Sequence, residues 1–168
     1  MRNILLSALA LLFTACSSSK PELPTVGHVE IDKYLGTWYE IARYEHSFEV
    51  GCSDVSATYS LKENGDIRVL NNCTKEDGKR SEAKGSAYAT DETNSKLKVS
   101  FFWPFYGDYW VLMLDENYTY AVIGEPSRKY FWILSRSKIL DESVKDKILS
   151  KMPELGYEKK ELIWTKQN

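Results

Sequence analysis

Between residues 38 and 136 one pattern repeats eight times: a short run of β-branched and aromatic residues whose side chains alternate apolar and polar, closed by a turn signal. An alternation of period two puts every second side chain on the same face of a strand, so each run offers one face to a core and one to water. The runs cover 38–43, 55–61, 67–72, 82–89, 97–102, 109–114, 119–124 and 130–136 and recur every 8 to 15 residues, which is the mark of an antiparallel sandwich or barrel. In the second run Val55, Ala57, Tyr59 and Leu61 alternate with Ser56, Thr58, Ser60 and Lys62, and Asn64-Gly65 then turns the chain into the third. In the fourth, Ala83, Gly85, Ala87 and Ala89 are all small, which on an inward face leaves room inside. Phe101-Phe102-Trp103-Pro104-Phe105-Tyr106-Gly107 is an aromatic loop interrupted by proline.

After residue 136 the period changes. With Asp141 as N-cap, Val144, Ile148, Met152 and Leu155 recur at three- or four-residue intervals among Lys and Glu, which describes one amphipathic helix ending at 153–156. A single helix cannot cover both faces of an open eight-stranded sheet, but it can lie against the wall of a closed one. Leu162-Ile163-Trp164 reads as a short final strand. The 22 aromatic side chains need a large apolar destination, and a barrel interior supplies one.

The N-terminus carries an export signal: one Arg, an apolar run from Ile4 to Phe13, and small residues before Cys16. That run is half the length of roughly 20 residues that a spanning helix needs. Leu12-Phe13-Thr14-Ala15-Cys16 resembles the bacterial lipobox, at which a signal peptidase cuts before a Cys that receives a diacylglycerol; Phe13 stands where Leu, Val or Ile is usual. The alternative is secretion after Ala15 with a free thiol. Residues 1–15 are thus expected to be a signal peptide, 16–30 a lipidated Cys and flexible polar tether, and 31–168 one domain. Ser17 after the Cys, in place of Asp, resembles lipoprotein sorting signals for the outer membrane.

With Cys16 acylated, Cys52 and Cys73 remain, in a compartment where disulfides persist, and they are expected to pair; two buried thiols are the alternative. A strict two-residue turn at Asn64-Gly65 would set Cys52 opposite Asp77, so the pairing needs a bulge or a longer loop at one end of the hairpin.

Gly36-Thr37-Trp38 resembles the first signature of the lipocalin family, Gly-x-Trp. Leu114-Asp115-Glu116-Asn117-Tyr118 resembles the second family block, with Leu114 where Thr is usual, and Trp132-Ile133-Leu134-Ser135-Arg136 resembles the third. The three occur in the family's order over about 130 residues, most like bacterial outer-membrane lipocalins and their apolipoprotein D relatives. The resemblance implies an all-β fold, an eight-stranded antiparallel up-and-down barrel with one C-terminal α-helix packed outside. It implies that Gly36, Trp38 and Arg136 close the barrel floor, Arg136 lying across Trp38. It also places Tyr106 and Trp132 in a ligand cavity, with Val55, Ala57 and Tyr59 as further lining residues by alternation.

The implied role is to bind, store or transport fatty acids or lysophospholipids in the envelope, with palmitate-like acyl chains as cargo and no cofactor. The protein is expected to sit on the outer membrane, anchored through Cys16 and facing the periplasm; a homodimer is compatible with this. Acidic and basic residues are scattered and nearly balanced, so nothing steers nucleic acid. No enzyme is expected: His28 and His46 stand beside no Ser or Cys arrangement and show no metal spacing, and no thiol is left over for lipocalin-like isomerase chemistry. A periplasmic protein-binding or inhibitor lipoprotein is a further alternative, but such chains are shorter and lack both the Gly-x-Trp start and the C-terminal helix.

Overall fold

In the computed structural model, which describes residues 21–168, eight antiparallel strands close into a barrel. They are β1 (Gly36–Tyr44), β2 (Ser53–Leu61), β3 (Ile67–Thr74), β4 (Arg80–Ala89), β5 (Lys96–Phe102), β6 (Phe105–Leu114), β7 (Tyr120–Gly124) and β8 (Phe131–Ser135). Each pairs with its neighbour in sequence, and β1 closes the ring by pairing with both β2 and β8. A short β9 (Leu162–Trp164) adds to the upper end of β1. Helix α1 (Ile31–Tyr34) lies at the entrance to β1, and helix α2 (Glu142–Lys151) follows β8, its N-cap Asp141 accepting a hydrogen bond from the Ser143 N–H at 2.8 Å.

Two apolar layers meet at the strands. Inside the barrel, Trp38, Tyr59, Val69, Val111 and Ile123 form one core. Outside it, Ile148, Met152, Leu155 and Tyr157 cover Ile41, Val122, Phe131 and Ile133. Strand β7 departs from the alternation expected of the 119–124 run: it lies between the layers and is buried at all five positions.

Trp38 and Arg136 meet at the floor of the barrel. Trp38 is fully buried, and its indole N–H donates to the Tyr34 carbonyl at 2.8 Å. The Arg136 guanidinium stacks 3.9 Å from the Trp38 ring centroid and donates to the carbonyls of Lys33, Tyr34, Leu35, Thr37 and Tyr118. Gly36 has φ +92, and a Cβ there would meet Arg136 Nη1 at 3.3 Å, so both backbone and space select glycine.

Residues 21–30 differ from the tether expected of them. Leu23 and Val29 are buried; the Val26 and Val29 N–H groups donate to the carbonyls of Val111 and Thr93. Apolar residues spaced through a polar segment bind it along the wall, so the packed domain starts near Pro21 rather than at Ile31. The expectations for residues 1–15 and for Cys16 lie outside the described residues.

The hairpin that carries the cysteines adjusts at both ends. Its turn is longer than two residues: Lys62 donates to the Asp66 carbonyl at 2.8 Å, and Gly65 takes φ +85. At the other end the register shifts between Ser53 and Ser56, where Asp54 has φ 49. These irregularities bring Cys52 and Cys73 to a Cα separation of 5.5 Å in a disulfide at the open end of the barrel.

Two outcomes follow for stability. Trp38→Ala should cost about 3–5 kcal/mol in urea unfolding, the range for removing a buried aromatic. Reduction of the Cys52–Cys73 bond, which spans 21 residues, should cost about 3 kcal/mol by release of chain entropy. A loss below about 1 kcal/mol in the first case would mean that Trp38 is not the floor.

Candidate functional site

Above the floor the barrel is hollow. Tyr34, Tyr59 and Tyr109 join hydroxyl to hydroxyl (Tyr34–Tyr109 2.7 Å, Tyr59–Tyr109 3.0 Å) over the Trp38 ring, whose centroid lies 4.9 Å from that of Tyr34. Burial pushes the Tyr59 hydroxyl up to about 12 and Tyr109 well above its usual value, so the cluster stays neutral. Beneath it lies a small void of about 20 Å³; above it a cavity of about 660 Å³ opens toward the loops at the far end. That volume falls in the range of about 300–1,000 Å³ typical of small-molecule sites.

Strand alternation supplies the walls. Val55, Ala57 and Tyr59 of β2 and Trp132 and Leu134 of β8 line the cavity, while Phe48, Phe102, Phe105 and Tyr130 ring its mouth. Tyr106 also borders the cavity, but from the rim. Its ring packs edge-on to Tyr88 at 5.5 Å, on the strand face that holds the Lys98–Asp108 ion pair. Gly85 of β4 serves a purpose other than open space: a Cβ there would meet the Phe101 ring at 2.8 Å, so Gly85 seats that ring against the wall.

One group of residues escaped the sequence. Glu40, Arg43, His46 and Glu49 are all buried, and Glu40 and Glu49 border the cavity. Arg43 lies 3.1 Å from Glu40 and 3.4 Å from Glu49, and Thr165 also donates to Glu40. Residues 40 and 43 of a regular strand would point to opposite faces. A bulge between Glu40 and Ala42 turns both inward, bringing Arg43 opposite Trp132. Nothing in the sequence marks the bulge, although Glu and Arg in an otherwise apolar first strand were the available signal.

This cluster shares one cation between two carboxyls. Burial, and next the Glu40 charge, push the Glu49 carboxyl up to about 9, and its Oε2 has no hydrogen-bond partner. Burial and the Arg43 charge lower His46 to about 4, and its neutral ring stacks on Phe48 at 3.9 Å. Glu125, whose carboxylate receives the backbone N–H groups of Ser127, Lys129 and Tyr130, also borders the cavity, as does Asp108, whose carboxylate pairs with Lys98 at 2.9 Å. Among the described residues no Lys, Arg or His borders the cavity.

Comparison with known proteins agrees with this geometry. A family model described as a lipocalin-like domain matches residues 29–167. The chain is similar to the outer membrane lipoprotein Blc of Citrobacter freundii, with 44% identity covering 94% of this chain and 92% of the relative. It is also similar to the outer membrane lipoprotein Blc of Vibrio cholerae, with 41% identity covering 99% of both. Among solved structures, insecticyanin from the tobacco hornworm Manduca sexta superposes with a TM-score of 0.73 at 22% identity, covering 88% of this chain and 86% of that one, a likeness of fold.

The acidic cluster predicts a pH dependence. Because Glu49 is raised in the folded protein from 4.5 to about 9, its contribution to stability is complete below the first value and is lost as pH rises toward the second. His46, lowered from 6.5 to about 4, acts only on the acid side, losing its contribution as pH falls through that window. Urea unfolding should therefore show stability declining from mildly acid to mildly alkaline pH, and Glu49→Gln should flatten that decline. Equal slopes in both proteins would remove Glu49 from the account.

Proposed function

The chain belongs to the lipocalin family, a family of hydrophobic-ligand binders and not of enzymes, and we propose that it holds single-chain membrane lipids, fatty acids or lysophospholipids, in its barrel. The observation that carries this reading is the hollow of about 660 Å³ above a sealed floor, walled by aliphatic and aromatic side chains. Burying an acyl chain of about 15 methylenes gives about 12 kcal/mol gross at ~0.8 kcal/mol each, from which the ordering of lipid and loops is subtracted. Trp132, Tyr59, Val55 and Ala57 are the wall residues that contact the chain, with Tyr106 at the rim.

The polar lining selects among such lipids. Glu40, Glu49, Asp108 and Glu125 border the cavity, while the cations that pair with them, Arg43 with Glu40 and Lys98 with Asp108, do not, so a free carboxylate finds no ion partner on its surface. A neutral or ammonium-bearing end, as in lysophosphatidylethanolamine, meets acceptors instead. That favours lysophospholipid over fatty acid when both are present.

The relatives named outer membrane lipoprotein support a place on that membrane, and the lipobox-like Leu12–Cys16 supports an acyl anchor on Cys16. Storage or transport of lipid between envelope surfaces fits such a position.

Titration of the purified protein with lysophosphatidylethanolamine, followed by Trp fluorescence, should saturate, and Trp132→Ala should weaken binding about tenfold, or about 1.4 kcal/mol. Palmitate should bind less tightly. A signal that never saturates would overturn the carrier role, and an unchanged affinity in Trp132→Ala would remove that residue from the site.

A further inference from the structure

The loops at the open end expose large apolar side chains that the barrel does not use. Phe102, Trp103 and Phe105, at the tip joining β5 to β6, are 75%, 78% and 70% exposed. Phe48 and Val50, in the loop joining β1 to β2, are 57% and 58% exposed. Phe48, Phe102 and Phe105 also border the cavity mouth, so the two loops belong to one apolar rim continuous with the cavity lining. Apolar clusters of this kind on a folded surface mark a contact, and Trp and Phe side by side are the residues that settle at the boundary between lipid and water.

The course of the chain indicates which surface they meet. Residues 21–30 run along the wall from rim to floor, beginning where the Pro21 carbonyl accepts a hydrogen bond from Arg128 at 2.7 Å. Arg128 lies in the loop joining β7 to β8, which carries the mouth residues Glu125 and Tyr130. Cys16 precedes Pro21 by five residues, a span of at most about 18 Å when fully extended. An anchor on Cys16 therefore holds the open end, and not the Trp38 floor, near the membrane.

We infer that the rim docks on the surface of a lipid bilayer, with Phe102, Trp103 and Phe105 at the interface and the cavity mouth facing the lipid. The rim contact is a separate property from cargo binding, and it rests on the proposed anchor only for its orientation. A lipid entering or leaving the cavity then crosses little water.

The test uses the full chain, purified in detergent and placed on vesicles of phosphatidylethanolamine and phosphatidylglycerol with brominated acyl chains, which quench tryptophans at the bilayer. Wild-type emission should shift to the blue and be quenched, and Trp103→Phe should lose both effects while floating with the vesicles. Phe102→Ser combined with Phe105→Ser, at exposed positions that the core does not need, should also reduce quenching of Trp103. Equal quenching in wild type and Trp103→Phe would overturn rim docking and assign the signal to Trp132 meeting lipid inside the cavity, leaving the carrier role intact. An absence of quenching in both would overturn docking whatever the titration shows. An unquenched Trp103 in a chain that sediments as a dimer would replace the bilayer with a second copy.

Discussion

The guanidinium of Arg136 lies on the face of Trp38 and reaches five backbone carbonyls around it, and this contact makes the rest of the barrel feasible. Without a stopper, a closed sheet of eight strands admits water at both ends and an apolar interior loses its advantage. Trp38 fills the bottom, the tyrosines seal it from above, and Arg136 satisfies carbonyls of the α1 segment and of the start of β1 that would otherwise be left unpaired. Because the floor and the outer layer under α2 bury so much apolar surface, the upper half can remain empty. A cavity this size would be costly in a protein whose only core was its centre.

The same geometry separates two electrostatic environments. At the floor one cation is spread over neutral acceptors. Higher up, Arg43 faces two carboxyls, and Glu49 takes a proton because a single positive charge cannot offset both in a dry site. The cavity therefore presents carboxyl groups among aromatic rings.

The fold was legible because its signals are local and repeated. Short β-rich runs closed by turn signals located eight strands, the return of a helical period at Val144 located α2, and Gly36, Trp38 and Arg136 stood at family positions. The losses have physical causes. The bulge between Glu40 and Ala42 inverts the face of every later residue in β1, and no composition rule reports a bulge, so Arg43 and its partners stayed hidden. Residues 21–30 looked like a linker because Pro and polar residues outnumber their few apolar anchors, yet Leu23 and Val29 are enough to bind them to the wall. Tyr106 borders the cavity at its rim, where its ring also meets Tyr88.

The central claim is a floor-sealed cup that takes one lipid from its open end. Native mass spectrometry of the protein equilibrated with lysophosphatidylethanolamine tests it most directly, compared with Ala57→Trp, which places a large ring in the hollow. The account predicts one lipid per barrel in the wild type and none in the filled variant. Several lipids per chain, or equal occupancy of both proteins, would contradict it.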